Sequence, residues 1–260
     1  MPTVLDEIVE DTRRRVNFER TVHPFPAVIE GANIRPRRTG YPFRRALEAE
    51  GMSFICEVKR ASPSKGLIAP DFPYLDIARE YEEAGASAIS VLTEPHYFKG
   101  RDEYLEEIAD EVSAPIIRKD FVVDEYQIFR AKEIGASAVL LIASVLDDRQ
   151  LADYRETAEI LGMDALVETH NAEEVERAVS SGAGIIGVNN RDLATFTVDL
   201  GTSVRLRELI PDGTVTVSES GMKAPADVRE VYEAGFDAVL VGEAFMRSPD
   251  KKGMLESLRP

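Results

Sequence analysis

The chain has 260 residues, 44% of them apolar, and a formal net charge of −16. That length fits one large domain or two small ones, and that composition supplies an ordinary globular core. The acidic excess argues against nucleic acid and anionic membranes as partners, because such a surface repels both.

The N-terminal stretch MPTVLDEIVEDTRRR lacks the apolar run of a signal peptide. No run approaches the roughly 18 apolar residues of a membrane span. Cys56 stands alone, which excludes an internal disulfide and points to the cytoplasm. The basic residues are mostly arginine. An acidic, lysine-poor surface suits a protein working in high salt, where counterions screen self-repulsion, so activity rising with molar KCl is expected. No linker or composition break divides the chain. We read residues 1–260 as one domain, with 1–50 as an N-terminal extension.

In that extension Leu5, Ile8, Val9 and Val16 form a helix-spaced apolar stripe, and Phe43, Ala46 and Leu47 form another. These helices are expected to close one end of the fold. The intervening HPFPAVIEGANIRPRRTGYP, rich in proline and arginine, is expected to be irregular. Strands follow at 53–58, 114–119, 164–169 and 213–220. Between them recur EEAGASAISVLTE (82–94), KEIGASAVLLIAS (132–144), SSGAGIIGVNNR (180–191) and YEAGFDAVLVGEA (232–244). Each of these reads as a helix end, a glycine stop and a buried strand. Gly85, Gly135, Gly182 and Gly235 suit the left-handed position just past a helix. Helices are expected at 74–84, 125–134, 147–161, 172–180, 204–210 and 225–234, with Asp124, Asp147 and Asn171 as N-caps. About eight strands alternating with helices in about 200 residues indicate a TIM (β/α)8 barrel. An open doubly wound sheet is the competitor. It usually carries a glycine-rich fingerprint after the first strand, where this chain has KRASPSKG.

The strand ends carry charge where burial disfavours it. Glu57 and Lys59, Lys119, Glu168, Asn189 and Arg191, and Glu219 and Ser220 all close apolar runs. Buried charges are costly unless paired or used. In a barrel these ends converge on one mouth, where the active site lies. A Glu57–Lys59 ion pair alone has a structural reading; five such strand ends together point to acid–base chemistry. His23, His96 and His170 lack ligand spacing, and His170 reads as a loop or capping residue. Cys56 is expected to face the helices. Gly221 and Gly242 follow the last two strands, the usual phosphate position of such barrels.

The segments CEVKRASPSKG, VLTEPHYFKG, PIIRKDFVVDEYQI, LVETHN, IGVNNRDLATF and VSESGM, in this order, resemble the indole-3-glycerol-phosphate synthase family. The resemblance covers the whole barrel and, in kind, the extra N-terminal helices, which in that family cap the active-site end. With the acidic composition, a halophilic archaeal source is expected. The resemblance implies a carboxy-lyase of tryptophan biosynthesis that acts on an anionic phosphosugar joined to anthranilate, with no metal, cofactor or obligate protein partner. It implies Lys119 as the acid on the ketone oxygen. Lys59, Glu57 and Glu168 are candidates for the later proton transfers, with Glu168 as base and Lys59 also a carboxylate binder. It implies that Asn189 and Arg191 orient the aromatic amine, and that Glu219 positions the lysines. Phe121 and Phe98 would line an aryl pocket. Ser62 and Lys65 would lie on a loop over the substrate. Ser220, Gly221, Gly242 and the N–H of Glu243 would hold phosphate, with the Glu243 carboxylate turned away. Two rivals share these features: a lysine Schiff-base aldolase and a non-catalytic phosphate binder.

Overall fold

A computed structural model describes residues 3–35, 40–192 and 195–260. Parallel strands close into a barrel: β1 (Ser53–Val58), β2 (Ala88–Leu92), β3 (Ile116–Lys119), β4 (Ala138–Ile142), β5 (Asp164–Thr169), β6 (Ile185–Asn189), β7 (Val215–Glu219) and β8 (Ala238–Val241). β1 pairs with both β2 and β8, so the sheet has no free edge. This is the TIM barrel expected from the repeat. The four repeat glycines, Gly85, Gly135, Gly182 and Gly235, adopt positive φ, from 79° at Gly182 to 94° at Gly135.

The strands are buried on both faces, and alternate side chains enter two separate cores. Ile55, Ile117, Leu166 and Val217 fill the barrel interior. Phe54, Cys56, Ile116 and Val167 pack outward against the helices. Cys56 therefore faces the helix layer, as expected, and burial pushes its thiol pKa up. The same alternation governs the strand tops. Lys119 follows Ile117 by two residues, as Glu57 follows Ile55 and Glu219 follows Val217, so all three continue the inward row.

The connecting helices are α4 (Tyr74–Glu83), α5 (Asp102–Glu111), α6 (Glu125–Glu133), α7 (Asp148–Ile160), α8 (Ala172–Ser180), α9 (Gly201–Arg207) and α10 (Pro225–Glu233). Asp124, Asp147 and Asn171 cap α6, α7 and α8 with side-chain oxygens. α5 escaped the sequence reading, although Leu105, Ile108 and Ala109 are buried at helical spacing. α9 starts earlier than expected, because Asp199 Oδ1 accepts the Gly201 N–H at 3.0 Å. The short α11 (Glu243–Arg247) and α12 (Lys251–Leu258) follow β8.

The extension forms three helices, α1 (Val4–Val22), α2 (Phe25–Ile34) and α3 (Pro42–Leu47). α2 corrects the expectation of irregular chain after residue 22. Pro24 and Pro26 stand at the N-cap and in the first turn, where the missing N–H costs nothing. Its buried Val28 and Ala32 provide the packed face. The arginine-rich residues 36–39 lie outside the described residues. α1 lies at the mouth, where Val4, Leu5 and Ile8 line the central cavity. α3 closes the opposite end. Phe43 and Leu47 are fully buried in the interior core, each worth about 1.5–3 kcal/mol. The expected closure of the site end is thus the work of α1.

A buried ionic strut fixes α1 to the barrel. Arg15 of α1 donates to both Asp120 oxygens at 2.8 and 2.9 Å. Asp120 also meets Arg118 at 3.2 Å, and Arg118 donates to Asp102 at 2.8 Å. Burial alone would raise the Asp120 pKa, yet Arg15 and Arg118 together hold it below the ordinary carboxylate range. Arg118 and Asp120 flank Lys119 and point outward, so the strut also braces the strand end that carries the inward lysine. Asp120→Ala leaves two buried guanidiniums short of a partner and should cost about 3–5 kcal/mol in denaturant unfolding followed by far-UV circular dichroism. Removing the exposed Arg149–Asp153 pair should leave the midpoint unchanged.

Candidate active site

The mouth of the barrel opens into a cavity of about 720 Å³. Its floor is Leu140, Ile142 and Leu240, the upper layer of the interior core. Every site residue named from the sequence lines it. The strand tops and the loops just beyond them bring these residues together from Glu57 to Glu243.

Lys119 is the centre. Its Nζ lies 2.8 Å from Glu168 Oε2 and 3.2 Å from Glu219 Oε2. The two carboxylates are 3% and 2% exposed. Asn189 donates to Glu168 Oε1 at 3.2 Å. Burial opposes the charge on Lys119, but Glu168, Glu219 and Glu57 outweigh it and hold its pKa above the ordinary lysine value. Burial also opposes ionisation of both carboxylates. For Glu168 the Lys119 and His170 charges win, and its pKa falls well below the usual range. For Glu219 burial and the neighbouring Glu168 prevail over Lys119, and its pKa is pushed up to about 8. Two carboxylates around one lysine cannot both ionise freely, so their affinities for protons separate.

Glu57 and Lys59 form a second ion pair, with Ser90 Oγ 3.5 Å from the other Glu57 oxygen. Gly242 leaves room for this pair: a Cβ there would come within 2.4 Å of Glu57 Oε1. Phe98 and Phe121 make an aromatic wall, with ring centroids 6.0 Å apart. Ser62 belongs to a short antiparallel pair, Ala61–Ser62 with Gly66–Leu67, that turns the loop after β1 over the cavity. After β7 the chain bends sharply, with φ of 66° at Ser220 and 98° at Gly221. The Glu243 carboxylate is held by Arg247 at 3.2 Å and faces Lys65 at 3.9 Å, so cations offset it. Arg191 donates to the Phe196 carbonyl at 3.3 Å, and its N–H is held by Asn189 Oδ1 at 3.0 Å.

The family model for indole-3-glycerol phosphate synthase matches residues 5–258. The chain belongs to that family. It is 45% identical to the indole-3-glycerol phosphate synthase of Lachnoclostridium phytofermentans, covering 98% of each chain. It is 48% identical to that of Endomicrobium trichonymphae, over 98% of this chain and 99% of the relative. Among solved structures, 3-hexulose-6-phosphate synthase superposes with a TM-score of 0.62 at 16% identity, covering 80% of this chain and 98% of the other. Thiamine phosphate pyrophosphorylase from Pyrococcus furiosus gives 0.60 at 20% identity, covering 83% and 95%. These two share the fold alone with the synthase chain.

Several residues of this synthase-family site were not foreseen. Arg247 and Lys223 line the cavity beside Gly221 and Glu243, and the only signal was their place just after the glycine turns. From the sequence His170 reads as a loop or capping residue. Its backbone N–H does bond Glu174, at 2.9 Å, but its ring also lies 3.3 Å from Glu168 Oε1. Of the two adjacent asparagines only Asn189 turns inward. Asn190 braces the β7 end, donating to Ser218 Oγ and to the Glu219 and Ser220 carbonyls at 3.0–3.1 Å. Asp11, Glu94 and His96 bring ligand atoms within 4.8 Å of one another, contrary to the reading that no histidine has metal spacing. Glu94 is committed there to the backbone N–H groups of His96, Tyr97 and Phe98, at 2.7–2.9 Å, and shapes that turn.

Gly187 stands level with Glu168 in the sheet and has no side chain to fill the space that Glu219 occupies. A Cβ at this position would meet Glu219 Oε1 at 2.3 Å. Gly187→Ala should therefore displace the Glu219 carboxylate and destabilise the fold by about 1–3 kcal/mol. Urea unfolding reads the stability loss, and a crystal structure of the variant reads the displacement.

Proposed function

We propose that this protein converts 1-(2-carboxyphenylamino)-1-deoxyribulose 5-phosphate to indole-3-glycerol phosphate, with Lys119 as the first acid and Glu168 as the later base. The reading rests on one observation above all, the buried lysine held between Glu168 and Glu219. Ring closure needs a proton on the ketone oxygen as the aryl carbon attacks. A lysine kept protonated inside an apolar-floored cavity supplies it. Loss of CO₂ restores the electrons to the ring, and loss of water completes the indole.

The pairing also times the second proton transfer. While Lys119 is charged, Glu168 is ionised and weakly basic. Once Lys119 has given up its proton, Glu168 loses its closest positive neighbour and its proton affinity rises. Removal of the ring proton falls at that point. Glu219 keeps Lys119 in place, and Asn189 orients Glu168. Lys59, paired with Glu57, suits the substrate carboxylate and the departing hydroxyl. Phe98 and Phe121 suit the aryl ring.

An anionic substrate must enter a chain of net charge −16. Arg191, Lys65, Lys223 and Arg247 give the cavity a local positive lining. We assign the phosphate to the side formed by Ser220, Gly221 and Gly242, with the Glu243 N–H. Ser62 and Lys65 would cover it from the β1 loop. A Schiff-base aldolase is disfavoured, because imine formation needs a neutral amine and Lys119 is held as ammonium.

We read the chain as one folding unit working in the cytoplasm without nucleic acid, membrane or obligate protein partner. No helix among the described residues is long and apolar enough to cross a membrane. Composition supports salt tolerance, but the relatives named above are bacterial and lend nothing to an archaeal source.

The chain lacks tryptophan, so indole emission reports product directly. Wild-type protein should generate that emission from the carboxyphenylamino substrate. Lys119→Met should lower kcat by about 10²–10⁴-fold. Arg191→Ala should instead raise KM by about 10- to 150-fold, the loss of a charged hydrogen bond worth about 1.5–3 kcal/mol. Full activity in Lys119→Met would contradict the assignment.

A further inference from the structure

His170 follows β5 directly and has no part in the reaction as derived above. Its ring bridges two carboxylates. Nδ1 lies 3.0 Å from Glu174 Oε2, in the first turn of α8, and Nε2 lies 3.3 Å from Glu168 Oε1. The side chain is 14% exposed, and Nε2 is shut off from solvent, within ion-pair reach of Glu168 but without a hydrogen bond to it. Glu174 is itself fixed, accepting from the His170 N–H at 2.9 Å and from Asn171 Nδ2 at 2.6 Å. A line of alternating charge results, Glu174, His170, Glu168 and Lys119, with Glu219 on the far side of the lysine.

We propose that His170 is a positioning residue of the synthase reaction: its imidazolium, clamped by Glu174, holds the Glu168 carboxylate ionised and oriented toward Lys119. A neutral imidazole has one N–H and serves one carboxylate, whereas an imidazolium has two and serves both. The proposal rests on the reading of Glu168 as the base. Each Glu168 oxygen then has its own cation, Lys119 on Oε2 and His170 on Oε1, with Asn189 sharing Oε1. When Lys119 leaves the pair, the His170 contact remains and keeps the carboxylate aimed at the cavity.

The groups around the ring agree with a charged state. Glu168 of β5 and Glu174 of α8 face it. Beyond Glu168 stand Lys119 of β3 and Glu219 of β7. Arg177 of α8 is turned to Asp148 and to the Ala143 and Leu146 carbonyls. Burial disfavours the charge, but the two carboxylates prevail and raise the His170 pKa to about 10. The imidazolium therefore persists across neutral pH and is lost only as pH rises through that value.

The test uses the full chain and has two arms. The chain has three histidines, so the His170 ring proton is assigned in the NMR spectrum by its loss in His170→Gln. In the wild type that signal should stay in its imidazolium position through pH 8, and in Glu174→Gln its titration should move down by about one unit or more. In the kinetic arm, His170→Gln should lower kcat with KM within about twofold, and should move the acid limb of kcat up by about one to three units, as Glu168 loses a positive neighbour. A purely structural capping role would not shift that limb. If His170→Gln does not fold, the signal is assigned by selective labelling, and the wild-type and Glu174→Gln titrations decide. A His170 signal titrating near 6.5, or a His170→Gln profile that overlays the wild type, overturns the proposal. Absence of turnover in the wild type would overturn the synthase reading itself, and the NMR arm tells the two failures apart.

Discussion

One buried lysine sets the terms for the rest of the site. Lys119 sits where the apolar interior ends, and a lone ammonium there would be too costly to keep. Glu168 and Glu219 make it tenable, and each of them needs its own support. Asn189 and His170 serve Glu168, and the missing side chain of Gly187 gives Glu219 its space. Replacing such a cluster with apolar residues often leaves a fold no less stable. Its retention is better explained by the proton it carries than by the stability it adds.

The barrel meets this requirement through geometry. Strand alternation puts Lys119 in the interior row while its neighbours Arg118 and Asp120 turn outward. Those two then join Arg15 and Asp102 in a buried network that ties α1 to β3. The helix that covers the mouth and the strand that carries Lys119 are thus held by the same ionic groups. At the other end Phe43 and Leu47 of α3 seal the interior, so the cavity opens on one side only of the packed core. Left-handed backbone, which costs a non-glycine residue about 1–2 kcal/mol, occurs at Tyr41, Lys99, Phe196 and Ser220, and the last of these shapes the turn at the mouth.

Much of this was legible from the residues. The glycine-stopped repeat carried the barrel, because a left-handed helix stop followed by a doubly buried strand leaves a distinct pattern. Charged residues at strand tops carried the cavity, because burial makes them conspicuous. What escaped notice had either a weak or a misleading signal. Pro24 and Pro26 suggested irregular chain, yet proline in a first turn starts a helix as readily as it breaks one. α5 hid behind six acidic residues, although its buried stripe was intact. His170 looked like a loop residue because its partner Glu168 lies on the strand before it, and only the turn of the backbone brings the ring back. Arg247 and Lys223 could not be told from surface cations without the fold.

Around the Lys119 ammonium the two carboxylates differ in proton affinity, lowered at Glu168 and raised at Glu219. Infrared difference spectroscopy of the carboxylic C=O stretch tests this difference directly, with Glu219→Gln identifying the band. A folded-state pKa near 8, raised from the ordinary glutamate value, predicts a protonated carboxyl at pH 6–7 that disappears as pH rises through about 8. A spectrum with no such band at pH 6, or one unchanged in Glu219→Gln, would contradict the account.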